Sequence, residues 1–200
     1  MTCINEPIPY ELWIHIANFS KICNYNLFFT NKKFFSLINE SKFDFNVIEY
    51  AIYQGNLDVL KHVLSLKYSR NSLVNDEKFT SIGIQKCLTI SCEQGHYDIV
   101  KFLVNNGVDV QINDNCAIKW ASQNGYLEIV KLLVEKGADI QAGNNYALRL
   151  ASFGGHLEIV KYLVEKGADI QACGKCAIIY ASECNHQNVI KFLIEKGVQK

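Results

Sequence analysis

A motif that returns every 30 residues constrains the fold of this chain more than any other feature of its sequence. Four glycines share the spacing: Gly107, Gly137, Gly167 and Gly197. The segments 121–140 and 151–170 are so similar that only four of their 20 positions differ. Repeats of this length are typical of solenoids, in which each unit buries its apolar face only against its neighbours. The sequence therefore predicts a stack of similar units.

Each unit is predicted to be a pair of helices. The apolar residues Ile129, Leu132 and Leu133 follow the i, i+3, i+4 spacing of an amphipathic helix. Gly137 is placed to end that helix in a left-handed C-cap, and residues 116–122 predict a shorter helix before it. No proline follows residue 9, so nothing in the rest of the chain forbids helix. The predicted fold class is all-α.

Charge and composition exclude several classes of function. The 20 basic and 20 acidic residues cancel, so the chain lacks the basic surplus that draws proteins to nucleic acid or anionic lipid. Polar residues interrupt every apolar run before it reaches the roughly 18 residues of a membrane span. Eight cysteines in a chain without a secretory signal predict reduced thiols and a cytoplasmic or nuclear location. We expect neither nucleic acid nor membrane as a partner.

Residues 155–164 and the following Gly167-Ala168-Asp169-Ile170 resemble the second helix and the turn of the ankyrin repeat. The resemblance implies an ankyrin-type helical solenoid over residues 46–200, and its 30-residue units are similar to those of large viruses that infect amoebae. In such a virus the protein would work in the cytoplasm of the host cell. Five units are expected, at about 46–78, 79–108, 109–138, 139–168 and 169–200.

Two departures from the family pattern concern the tips of the units. Between Ile140 and Tyr146 the chain is three residues shorter than the usual unit of about 33, at the place where the family builds a projecting hairpin. The family's Thr-Pro-Leu-His is replaced by Tyr146-Ala147-Leu148-Arg149. We expect blunt tips, in which the hydrogen bonds that usually brace the hairpin are replaced or lost.

Residues 1–45 do not follow the repeat. A segment with Pro9, Leu12 and Ile16, followed by Leu27, resembles an F-box. That resemblance implies docking to the Skp1-type adaptor of cullin ubiquitin ligases through these four residues. The alternative is a helical cap that covers the apolar face of the first unit, as solenoid ends require. Both interpretations predict apolar helices, so the sequence leaves both open.

The histidines offer no catalytic site. His96, His156 and His186 occupy one position of successive units, and Tyr126 takes that position between them. A position where tyrosine replaces histidine is structural. We also find no phosphate-binding loop and no grouping of nucleophile with base, so we expect no enzyme and no cofactor.

The rival function is zinc binding by the cluster from Cys173 to His186, which also contains Cys176 and Cys184. The alignment of the units argues against it. Cys176 falls at the position of Cys116, which we expect to face inward, and Cys184 and His186 belong to the opposite end of the helix from Cys173. We therefore expect no metal site.

The stack is expected to bind a protein on an extended concave face, and the residues that vary between units are the candidates for contact. These partner-binding candidates are Asn113, Asp114, Asn115, Gln123, Asn144, Asn145, Phe153, Lys175 and Glu183. Phe153 is either an exposed anchor or a side chain partly buried on its own helix turn. Trp120, Leu150 and Tyr180 are expected in the core between the helices. The predicted function is a non-enzymatic interaction module, either a substrate receptor for a ubiquitin ligase or a plain scaffold.

Overall fold

The computed structural model describes residues 52–58, 60–61 and 83–197. These residues contain helical turns at 52–53, 57–58 and 60–61 and eight full helices, and no strand occurs among them, so the all-α prediction is confirmed. The full helices are α1 Gly83–Gln94, α2 Tyr97–Asn105, α3 Ile112–Gln123, α4 Leu127–Glu135, α5 Ala142–Phe153, α6 Leu157–Glu165, α7 Ile170–Glu183 and α8 Gln187–Glu195. Within this part of the chain, no helix combines the length and apolar character needed to cross a membrane.

The helices form pairs, each made of a longer first helix and a second helix of nine residues. The end of α4 shows why the repeated glycine is needed. Gly137 has φ +92°, and the amide of Gly137 donates to Val134 O while that of Ala138 donates to Leu133 O. This Schellman motif satisfies carbonyls that the helix end would leave without donors. The predicted C-cap is confirmed.

The first helices pack more closely against one another than the second helices do. Their contacts are made by alanines with little or no exposed surface: Ala117, Ala121, Ala147, Ala151, Ala177 and Ala181. Larger side chains such as Ile118, Leu133 and Leu148 fill the space between the two layers and are fully buried. The first helices therefore form one closely packed layer of the array, and the second helices form the other.

A run of left-handed residues forms the tip of two units. Asn113, Asp114 and Asn115 have φ of 52°, 56° and 57° at the start of α3, and residues 143–145 repeat the conformation in α5. Asparagine and glycine adopt this region more readily than other residues, because the asparagine side chain can bond to nearby backbone and glycine has no Cβ. The shortened units therefore reverse their chain in a compact left-handed turn.

Side-chain amides now brace the tips. Asn115 Oδ1 accepts from the amide of Asp139 at 2.8 Å, and Asn145 Oδ1 accepts from that of Asp169 at 2.9 Å. Gln111 Nε2 also donates to the carbonyl of Gly137, the C-cap glycine of its own unit, at 2.7 Å. The hydrogen bonds of the usual hairpin are thus replaced rather than lost, and those of the two asparagines join one unit to the next.

The histidines join units at the opposite end of the helices. His156 Nε2 donates to Gln123 O and His186 Nε2 donates to Phe153 O, both at 2.9 Å. Each ring lies over a glycine of the preceding unit, Gly125 or Gly155, where a Cβ would collide with it. These contacts give the histidines a packing role, as the sequence predicts.

Two expectations about the first helices were wrong. Trp120 is 36% exposed rather than core, while Leu150 and Tyr180 are half-buried. Cys176 is exposed rather than inward, and Cys173 is the buried cysteine. The cause is the orientation of the helix. The alanines at the second and sixth positions of each predicted helix face the neighbouring units, which turns the first and fifth positions outward.

Candidate protein-binding surface

The layer of first helices presents one exposed or half-buried stripe from each of three neighbouring helices, at the i, i+3, i+4 and i+7 positions. We call these residues together the first-helix surface: Cys116, Lys119, Trp120 and Gln123 from α3, Tyr146, Arg149, Leu150 and Phe153 from α5, and Cys176, Ile179, Tyr180 and Glu183 from α7. The stripe follows from the alanines on the opposite side of each helix, because burial of those alanines leaves these four positions facing solvent.

The centre of the first-helix surface is a tyrosine ring flanked by two cations. Lys119 Nζ lies 5.4 Å from the centroid of the Tyr146 ring, and the guanidinium carbon of Arg149 lies 4.7 Å from it. Lys119 also pairs with Asp114 at 2.6 Å, and Arg149 Nη2 donates to Gly143 O at 2.8 Å. Cations over an aromatic face are held by the ring's electron density. The side chains at the centre are therefore fixed before any partner arrives.

Phe153 stands at the carboxyl end of the α5 stripe and is 40% exposed. Its ring meets the Tyr180 ring edge to face, with the centroids 6.4 Å apart. Both sequence interpretations therefore describe part of its environment, since one edge packs on Tyr180 and the rest faces solvent. A large exposed ring supported on one side is suited to anchoring a partner.

The nine partner-binding candidates divide into two groups. Asn113, Asp114, Asn144, Phe153, Lys175 and Glu183 are exposed, and Gln123 is half-buried. Asn115 and Asn145 are buried, with 6% and 3% of their surface exposed. Their side chains accept the inter-unit hydrogen bonds described above, so these two residues belong to the scaffold. The two units with the left-handed tip both have asparagine at this position, whereas α7, which lacks that tip, has Lys175.

Of the twelve residues of the first-helix surface, the sequence predicted only Gln123, Phe153 and Glu183 as contact candidates. The nine that it missed include Tyr146, Arg149 and Ile179. Ile179 is 55% exposed, more than any other large apolar residue in the described ranges. The signal that could have found them is the position of the alanines, because the residues opposite a close helix contact must face away from it. The residues that vary between units lie on the same helices, but their variation does not show which side of each helix is exposed.

The structure does not bring the residues of the cysteine cluster together as a set of metal ligands. No group of three or more potential ligands occurs in the part of the chain that the structure describes, which includes Cys173, Cys176, Cys184 and His186. Burial raises the pKa of Cys173 to about 11, and its thiol donates to Asp169 O. Burial likewise raises the pKa of Cys92.

The residues of the F-box-like segment, Pro9, Leu12, Ile16 and Leu27, lie outside the described residues. The hypothesis of adaptor docking at these positions, and the alternative of a cap, therefore remain predictions from the sequence.

Comparison with known proteins agrees with the repeat and the fold. A family model described as ankyrin repeats (3 copies) matches residues 48–144 and 141–200. One ankyrin repeat protein of Acanthamoeba polyphaga mimivirus is 42% identical over 118 residues, which is 59% of this chain and 51% of that protein. A second, from the same virus, is 39% identical over 123 residues, or 62% of this chain and 56% of the relative. The chain spans about half the length of these relatives, and it belongs to the ankyrin repeat family.

Proposed function

We propose that this chain is a non-enzymatic protein-binding module and that the first-helix surface holds the partner. The observation that carries the proposal is the α5 stripe, where the exposed Tyr146 and Phe153 and the half-buried Arg149 lie on one face of a single helix. Tyrosine and arginine are enriched among the residues that contribute most to binding energy at protein interfaces. An interaction module is also the function that ankyrin repeats imply.

The scaffold beneath the surface supports this role. Hydrogen bonds join successive units at both ends of the first helix, through Asn115 and Asn145 at the tip and through His156 and His186 at the turn. A partner that docks on such a surface orders few additional side chains, and association therefore costs less conformational entropy. The surface presents aromatic rings, a side-chain amide and cations, which can make apolar contacts and hydrogen bonds with a protein partner.

Affinity capture tests this proposal. The relatives come from a virus of Acanthamoeba polyphaga, so an extract of that amoeba is the natural source of partners. We expect the immobilised full chain to retain a protein that the double variant Phe153→Ala, Tyr146→Ala does not retain. Tyr97→Ala is the matched control, because Tyr97 is 37% exposed but lies on a second helix.

Circular dichroism and thermal melting must show that all variants are folded. A partner captured equally by the double variant would bind elsewhere on the chain, and the first-helix surface would lose its assigned role.

We also propose, from the sequence of residues 1–45, that the chain links its partner to a ubiquitin ligase through a Skp1-type adaptor. A purified adaptor should be retained by the full chain and lost with Leu12→Asp, a change at the centre of the F-box-like motif. The unchanged capture of an amoebal partner by this variant would show that the array is still folded. Failure of the wild-type chain to bind the adaptor would favour the cap and leave a plain ankyrin scaffold.

A further inference from the structure

We propose that α7 and α8 form a closed end of the array, a pair that cannot hold a further ankyrin unit in the way that the earlier pairs hold the next one. Earlier units join their successors at both ends of the first helix, and the residues for both joints are replaced here, by Lys175 at the tip and Asn185 at the turn. The first-helix surface then ends at α7, and copies of the chain cannot lengthen one another through this end. The closed end does not depend on which partner that surface binds.

Asn185 occupies the position that must accommodate a ring of the following unit. At each join between units within the described residues, this position holds a glycine with positive φ, and a histidine or tyrosine ring of the following unit lies against it. A Cβ on Gly125 would lie 2.5 Å from Cε1 of His156. Asn185 keeps the positive φ, at 58°, but carries a Cβ. The ring of a further unit would therefore collide with it.

The Asn185 side chain is also held within its own unit. Gln187 Nε2 donates to Asn185 Oδ1 at 2.8 Å. The equivalents of Gln187 in the two preceding units are Leu127 and Leu157, which cannot form such a bond. The asparagine is therefore fixed by a partner that only the last pair supplies among these three units.

Lys175 removes the joint at the tip. Asn115 Oδ1 and Asn145 Oδ1 each accept a hydrogen bond from an aspartate amide of the following unit. Lys175 occupies the equivalent position in α7, and an ammonium group has no acceptor atom. The helix α7 also begins without the left-handed turn of α3 and α5. A further unit would therefore leave its part-buried aspartate amide without an acceptor, which is destabilising.

Two apolar side chains of this face do not require an occupant. Ile178 and Ile190 are half-buried, whereas their equivalents in the preceding unit, Leu148 and Val160, are fully buried. Two half-buried isoleucines are a small apolar area, and scattered apolar residues are normal on a protein surface. The end of a solenoid requires an outer face that is more polar than the faces between units. Lysine and asparagine at positions 175 and 185 meet that requirement.

A unit added after α8 tests the closed end. The added unit is a copy of residues 138–167, inserted between Gly197 and Val198 of the full chain. The copy carries Tyr162→Phe, which distinguishes its peptides by mass and introduces the residue that occurs at the equivalent Phe192. Hydrogen exchange with mass spectrometry then reports on the second helix of the copy alone. We expect this helix to exchange freely, because the copy cannot dock on α7 and α8.

The double variant Lys175→Asn, Asn185→Gly restores both groups that the earlier pairs use. On this variant the same copy should dock, and its second helix should exchange roughly tenfold more slowly or better than on the unchanged end. Asn188→Ala, at an exposed position of α8, is the matched control and should leave the copy unprotected. The marked copy inserted between Gly167 and Ala168 should be protected without further change, because α5 and α6 receive it there.

Two results would overturn the closed end. If the copy is protected equally on the unchanged end and on the double variant, α7 and α8 accept a further unit as they stand. If the copy stays unprotected on the double variant although it is protected as an internal insertion, residues 175 and 185 are not what closes the end. Circular dichroism and thermal melting of each chain without the copy show that the substitutions preserve the fold.

Discussion

Asn124 performs in one unit the task that histidine performs in the others. The carbonyls of Gln123 and Phe153 each receive a hydrogen bond from a histidine ring of the following unit. The equivalent carbonyl is that of Glu93, and the ring above that turn belongs to Tyr126 rather than to histidine. Asn124 Nδ2 donates to this carbonyl instead, at 3.0 Å. Two neighbouring residues have therefore changed together without loss of the inter-unit bond.

We predict that Asn124→Ala lowers the free energy of unfolding by about 1 kcal/mol, because the Glu93 carbonyl loses its donor. Tyr126→His in the same chain should recover most of the loss, since the ring can then donate as His156 does. Urea denaturation of the two single variants and the double variant measures the coupling. Asn188→Ala, at an exposed position of α8, is the control and should change little. If Asn124→Ala lowered the free energy of unfolding equally with and without Tyr126→His, the histidine would not replace the asparagine as donor to the Glu93 carbonyl, and this prediction would be refuted.

At the scale of the element, the left-handed turn distinguishes the middle units from the last. The helices α3 and α5 begin with three left-handed residues, whereas α7 begins with ordinary helical geometry and an Asp169 N-cap. The residues at the equivalent place in α7 are Cys173, Gly174 and Lys175, and a cysteine or lysine enters the left-handed region only at a cost of about 1–2 kcal/mol. The change of residue type thus explains the change of turn.

The two asparagines of the α5 turn should respond differently to substitution. Asn145→Ala should lower the free energy of unfolding by about 2–4 kcal/mol, because it combines the left-handed strain with the loss of the acceptor for the part-buried Asp169 amide. Asn144→Ala is the matched control: its side chain is exposed, and only the strain of about 1–2 kcal/mol applies. Chemical denaturation compares them. A loss at position 144 as large as that at 145 would mean that the inter-unit hydrogen bond contributes nothing.

The helices and their ends could be predicted from the sequence, but the turn and the exposed stripe could not. The spacing of Ile129, Leu132 and Leu133 is a property of one unit, and so is the glycine that follows the helix. The role of Asn145 depends on an amide of the next unit, which no pattern within a unit displays. The position of Cys176 depends on how α7 is rotated about its own axis, and the periodicity of a short helix leaves that rotation ambiguous by one residue.

At the scale of the whole molecule, the last described pair, α7 and α8, differs from the others at the positions that join units. Asn185, with φ +58°, stands where the earlier units have Gly125 and Gly155 beneath a ring. Ser182 is exposed, whereas its equivalents in the preceding units are fully buried. Among the described residues, this pair therefore contacts the array on one side only. Stability in such arrays is the sum of the units and their nearest-neighbour contacts, so this pair should be the least stable.

Two leucine substitutions test this gradient. Leu148 on α5 and Leu193 on α8 are both fully buried, so each change to alanine removes the same atoms and should cost about 2–5 kcal/mol. Leu148→Ala lies between two neighbouring pairs and should lower the stability of the array as a whole. Leu193→Ala should instead open α7 and α8 before the rest. Hydrogen exchange with mass spectrometry should then show fast exchange confined to residues 170–195 in the second variant, whereas uniform acceleration in both would mean that the array unfolds as one cooperative unit.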